Sequence, residues 1–143
     1  MKVSDVMTTE VQLCTPDDTL KDAAEAMRAL GIGLLPVTDN ERLLGMISDR
    51  DMAVRGVAMG RGPDTRVGDV MSSEVLYCFE DQALEEVAAN MGDLQVRRLP
   101  VLNRQKRLVG IIALGDVARA AASGKAGEAL NRISQPGPQH AQT

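Results

Sequence analysis

The segment Gly45-Met46-Ile47-Ser48-Asp49-Arg50-Asp51 joins an apolar run to a hydroxyl and then to two acids two residues apart. Read as a strand running straight into a helix, it places both carboxylates in a first helical turn, where unpaired backbone N–H groups favour negative charge. With Asp49 and Asp51 already in that field, phosphate is repelled from the spot. A carboxylate held there is instead a good acceptor for two neutral hydroxyls, such as a ribose cis-diol, with Ser48 able to donate or accept beside it. The plainer reading is a helix start in which Ser48 or Asp49 caps and Asp51 favours the dipole. Asp116 recurs at the position equivalent to Asp51, whereas the counterpart of Ser48 is Ala113. Capping alone would keep the hydroxyl, so the retained acid favours the binding reading.

A second cluster, Gln95-Val96-Arg97-Arg98-Leu99-Pro100-Val101, sets two arginines before an apolar strand. A guanidinium fork suits phosphate oxygens; the plainer reading is a solvated pair, of which a strand turns only one toward any cleft. Arg50 and Arg55 are weaker cationic candidates. Cys14 and Cys78 read as small buried hydrophobes, with no histidine or second cysteine at metal-ligand spacing. His140 is the only histidine and lies near the end of the chain, which removes the usual general base and argues against Ser-His catalysis. Gly56 to Gly62 lacks the Gly-Lys-Ser/Thr ending of a P-loop. The residues therefore supply no nucleophile–base pair and no metal set, so no catalytic site and no metal site is expected.

These clusters are positioned by an internal repeat. Displacing the chain by 64 positions lays Val3, Asp5, Val6 and Met7 on Val67, Asp69, Val70 and Met71, and Leu35-Pro36-Val37 on Leu99-Pro100-Val101. After one inserted residue, Leu43, Gly45, Ile47, Asp51 and Ala53 meet Leu108, Gly110, Ile112, Asp116 and Ala118. About twenty identities in about fifty aligned positions mark a tandem duplication. Each copy reads β-α-β-β-α. Short β-favouring runs stand at Val11 to Cys14 and Val75 to Phe79. Amphipathic helices carry Leu20, Ala23, Ala24, Met27 and Leu30, or Leu84, Val87, Ala88, Met91 and Leu94, and Gly31 ends the first. Strands follow at Leu34 to Thr38 and Leu43 to Ser48, or Arg98 to Leu102 and Leu108 to Ala113, with polar turns at Asp39 to Arg42 and Asn103 to Arg107. Short helices then start at Asp49 and Leu114. The expected fold is mixed α/β (α+β): two repeats packed sheet to sheet with pseudo-twofold symmetry. The first occupies 1–62 with a linker at 56–66, and the second 67–123. Residues 124–143 hold a terminal helix from Lys125 to Ile133 and a disordered tail.

Composition narrows the function. The chain has 143 residues and a net charge of −4, which argues against broad electrostatic binding to nucleic acid. Tyr77 and Phe79 are its only aromatics, so a base-stacking platform is missing. No apolar run approaches the roughly 18 residues of a membrane span. With no secretory signal at the start and no disulfide framework, the expected location is the cytoplasm.

Two ordered sets of Asp-Val-Met, Leu-Pro-Val and Gly-hydrophobic-Ile-(Ser/Ala)-x-x-Asp resemble a tandem pair of CBS domains, the Bateman module, from about Val3 to about Ser123, and look especially like its small stand-alone bacterial members. The resemblance implies a non-catalytic regulatory module that senses an adenosine-containing ligand (AMP, ADP, ATP or S-adenosylmethionine) in clefts between the repeats, with no catalytic cofactor. It implies one cleft in which Asp51 holds ribose, Ser48 assists, Met46 lines the wall, Val75 and Leu76 flank adenine, and Arg97 and Arg98 meet phosphate. A second, weaker cleft combines Asp116 with Val11, Gln12, Gly33 and Leu34, lacking both the hydroxyl and the arginine. It also implies a homodimer paired through helices and a protein target that the sequence does not name. The alternative is a dimerising scaffold or protein-interaction module that has lost its ligand.

Overall fold

A computed structural model describes residues 1–120 of the chain, so the terminal helix and tail expected over 124–143 lie outside the described residues. Helix α1 (Leu20–Leu30) starts where Thr19 and Asp22 cap each other. The Thr19 hydroxyl accepts from the Asp22 amide at 3.1 Å, and the Asp22 carboxylate accepts from the Thr19 amide at 3.2 Å. It ends at Gly31, whose φ of +67° is the left-handed conformation glycine adopts freely. The helix buries Leu20, Ala23 and Met27. Ala24 and Leu30, expected on the same face, are exposed, so the buried stripe is narrower than the hydrophobic spacing suggested.

Strand β1 (Leu34–Asp39) pairs antiparallel with β2 (Arg42–Ser48), from Leu34 opposite Ser48 to Asp39 opposite Arg42. The turn is shorter than its polar sequence implies, because Asp39 and Arg42 belong to the ladder. Asn40 and Glu41, at φ +49° and +69°, make the two-residue loop whose twist matches the strands. The chain then winds through a short helix α2 (Asp49–Asp51), a π turn (Met52–Gly56) and a 3₁₀ turn (Val57–Met59) before Gly60 stops it at φ +78°. Winding thus continues well into the stretch read as a linker. The second copy gives β3 (Cys78–Phe79), α3 (Leu84–Leu94), β4 (Arg98–Leu102), β5 (Leu108–Ala113) and α4 (Leu114–Ala120). This is the mixed helix-and-sheet architecture expected.

The expected strand at Val11 to Cys14 shrinks to one bridge. Cys14 alone pairs with β1, its amide donating to Pro36 at 3.0 Å and its carbonyl accepting from Thr38 at 2.9 Å. Its counterpart keeps two residues, Cys78 and Phe79, parallel to Val101 and Leu102 of β4. Gln12, Leu13, Leu76 and Tyr77 are exposed, so there is no second buried contact to extend either ladder.

The described chain divides into two compact units, Gln12–Val75 and Met1–Val11 together with the chain from Leu76 onward. These are not the sequence repeats. In the first unit the core of Cys14, Leu20, Ala23, Met27, Leu35, Val37 and Ile47 is completed by Val67 and Val70, which head the second copy. In the other unit Val3, from the head of the first copy, is buried with Leu84, Val87, Met91, Val101, Ile112 and Val117. Each head ends by adding one bridge to a strand. Ser72 exchanges backbone hydrogen bonds with Met46 at 2.8 and 2.9 Å, and Thr8 with Ile111 at 2.8 and 2.9 Å.

The approach is close enough to demand glycine on the strand. A Cβ at Gly45 would lie 2.4 Å from the Ser72 carbonyl oxygen, and one at Gly110 would lie 2.8 Å from the Thr8 carbonyl oxygen and the Met7 sulfur. Backbone on both sides cannot yield cheaply. Gly45→Ala and Gly110→Ala are therefore expected to lose about 1–3 kcal/mol each in urea unfolding, the scale of overpacking. Gly62→Ala, where nothing lies within 4 Å, should change stability little.

Candidate functional site

Strand β2 delivers Ser48, buried to 7% exposure, to the start of α2, where the chain cannot pair its own amides. Ser48 and Asp51 solve this reciprocally. The Asp51 amide donates to Ser48 Oγ at 3.0 Å, and the Ser48 amide donates to Asp51 Oδ2 at 2.9 Å. Arg55, one turn on, donates from Nη2 to Asp51 Oδ1 at 2.9 Å. The Asp49 amide donates to the Gly33 carbonyl at 2.9 Å, tying the head of β1 to the same corner.

The second copy builds the same corner without a hydroxyl. The Ala113 amide donates to Asp116 Oδ2 at 2.9 Å, Arg119 Nη2 donates to Asp116 Oδ1, and the Leu114 amide donates to the Arg97 carbonyl at 2.8 Å. This corrects an inference from the sequence. Recurrence of the acid without the hydroxyl does not argue against capping, because the carboxylate is itself the part of the cap that both copies retain. Asp51 and Asp116 are both held inward, their side chains 20% and 12% exposed. A carboxylate has about four acceptor positions, so with two filled each acid still has room for hydroxyl donors.

The unit Gln12–Val75 holds Ser48, Asp51 and the buried Met46, the partly buried Val75, the exposed Gln12, and Gly33 and Leu34 beside the Ser48 corner, Leu34 lying opposite Ser48 in the ladder. The other unit holds Asp116, the partly buried Val11, the exposed Leu76, and Arg97 and Arg98, with Arg98 opposite Ala113. Each corner thus gathers its own acid with its own strand head. Neither arginine side chain has a hydrogen bond or ion pair with a described residue. Arg119 is not among the residues the sequence singles out, although its i, i+3 spacing from Asp116 is a readable signal.

Elsewhere the chain's two rings meet edge to face with centroids 5.6 Å apart, and Arg104 lies 4.1 Å over Phe79. The same guanidinium donates to both oxygens of Asp81, at 2.8 and 2.7 Å, and holds that carboxyl below the usual range. Among the described residues no three His, Cys, Asp or Glu side chains converge as a metal site, and no helix is long and apolar enough to cross a membrane.

Twin strand-to-helix corners in two mixed α/β repeats define a CBS pair, and the comparisons agree. The chain belongs to the CBS domain family, whose model matches residues 3–55 and 67–123. It is 42% identical over 133 residues to the CBS domain-containing protein YhcV of Bacillus subtilis, covering 92% of this chain and 94% of that one. The crystal structure of Hypoxic Response Protein I with two coordinated zinc ions superposes with a TM-score of 0.76 at 36% identity, over 85% of this chain and 99% of that one. The crystal structure of CBSX2 in complex with AMP does so with a TM-score of 0.73 at 29% identity, over 83% of this chain and 94% of that one.

Burial settles the cysteines. It pushes the thiols of Cys14 and Cys78 up from an ordinary 9.0 to about 12, with the negative charge of Asp18 adding to the rise at Cys14. Both thiols should react with a disulfide reagent at pH 8 roughly a thousandfold more slowly in the folded protein than in denaturant. A proton held more tightly when folded stabilises fully below the ordinary thiol value. That contribution is lost as pH climbs from about 9 toward 12, and the melting temperature should fall across that window.

Proposed function

We propose that this chain is a non-catalytic regulatory module that binds an adenosine-containing ligand. The observation that carries the reading is the corner carboxylate of Asp51, anchored to backbone and side chain yet still able to accept from sugar hydroxyls. Ser48 adds a hydroxyl whose proton is free to donate while its oxygen accepts from Asp51. Arg97 and Arg98, without partners among the described residues, suit phosphate. The AMP complex of a family relative supports the ligand class. Met46, Val75 and Leu76 complete the proposed first site. Asp116 with Val11, Gln12, Gly33 and Leu34 forms a weaker second one, because Ala113 supplies no hydroxyl. Such a sensor works in the cytoplasm as a homodimer and signals through a protein target.

One observation favours a second reading. Both carboxylates already serve their helix starts, and Asp116 does so without any neighbouring hydroxyl, as a ligand-free dimerising scaffold would require.

Calorimetric titration with AMP, ADP, ATP and S-adenosylmethionine separates the two. The sensor reading expects about one strong site per chain. Asp51→Asn keeps an acceptor for the Ser48 amide but loses the charge, and should weaken binding roughly tenfold to a hundredfold, the scale of charge-assisted hydrogen bonds. Asp116→Asn should matter much less. Absence of heat and of thermal shift with all four ligands establishes the scaffold instead.

A further inference from the structure

The corner at Asp51 gathers two acids, Asp49 and Asp51, where its counterpart has Asp116 alone, and Arg50, in place of Gly115, leaves the formal charge of the two turns equal. Asp49 stands in the same turn, where the second copy has Leu114. Asp49 is exposed and its Oδ1 accepts only from the Arg50 amide among the described hydrogen bonds, so it adds a charge without a matching cation in contact. A ligand that places its sugar on Asp51 brings any phosphate it carries into this field, and like charges close together oppose binding. The ion pair to Arg55 is the one cation contact that Asp51 makes among the described residues.

That pair is not needed for the cap, which uses Oδ2; Arg55 sits on Oδ1. In the second copy Arg119 sits on the same oxygen of Asp116 but from three residues along the helix rather than four. The two arginines are not aligned in the repeat: Arg55 aligns with Ala120, and Arg119 with Val54. A cation on this one oxygen is therefore present in both copies while its sequence position differs. Helix capping does not call for it, and neither does acceptance of two hydroxyl protons. Arg55 is 47% exposed, and a guanidinium has five N–H donors of which this contact uses one, leaving others to face a bound anion.

Resting on the adenosine-ligand reading above, we propose that Arg55 is a specificity-determining residue that makes the Asp51 site accept phosphorylated nucleosides over neutral ones. It cancels the carboxylate charge at the oxygen next to the sugar and offers its remaining donors to the phosphate.

The test is the ratio of the dissociation constants for adenosine and AMP, measured by calorimetry on the full chain at low and moderate salt. Arg55→Gln should weaken AMP about tenfold and change adenosine less than about twofold, collapsing the ratio and its salt dependence. Arg55→Lys should keep most of the AMP preference. Because Arg55 is half exposed, both variants should melt near the parent. An equal loss for both ligands overturns the proposal, since Arg55 would then only position Asp51; so does an unchanged AMP affinity. Either result with Asp51→Asn still deleterious removes this inference alone. A parent chain that binds neither ligand removes the adenosine reading as well.

Discussion

A carboxylate accepting a hydrogen bond from the last amide of a strand, three residues upstream, is the contact on which the rest of this molecule turns. It lets β2 and β5 pass into helix with no intervening loop, at Ser48-Asp49 and Ala113-Leu114. It also leaves an acid at a defined place with acceptor capacity to spare. Capping and ligand reception are therefore compatible roles of one group, because a cap consumes one lone pair of one oxygen. The hydroxyl of Ser48 is an addition to this arrangement and not its basis, as Ala113 demonstrates.

The second constraint is the exchange of heads. Val67 and Val70 are buried among residues of the first copy, and Val3 among those of the second, so neither duplicated segment holds all of its own core. Gly45 and Gly110 exist in the motif because the heads arrive at van der Waals contact on the strand beside them. The same residues sit six positions upstream of the acids, on the strands that end at the corners, so head, strand and corner form one mechanical unit. Any motion of a head would be felt at the strand that ends in Ser48 or Ala113.

Much of this was legible in the sequence. Helices α1 and α3, both hairpins and the strand-to-helix junctions follow from apolar spacing, from the stop at Gly31 and from the duplication itself. The exchange of heads was not, because Val3 and Val67 carry equal claims on either core and only long-range packing chooses between them. The strand at Val11 failed because a β-favouring run needs a second buried neighbour to become a ladder. The role of Asp116 is not legible from Ala113, because a carboxylate three residues on caps the strand's last amide without any hydroxyl. Arg119 is legible as a helical i, i+3 partner of Asp116, but spacing alone does not say which carboxylate oxygen it takes. The family assignment rested on motifs occurring twice in order, and the matched segments 3–55 and 67–123 bear it out.

The central claim is that Asp51 receives sugar hydroxyls while remaining a helix cap. Backbone amide NMR of the full chain titrated with adenosine tests it most directly, because the Ser48 and Asp51 amides are themselves the donors of the cap. The account predicts that these two resonances shift saturably and stay protected from hydrogen exchange, with Arg55 shifting alongside. Saturable shifts confined to residues away from this corner, or loss of amide protection at Ser48 on binding, would contradict it.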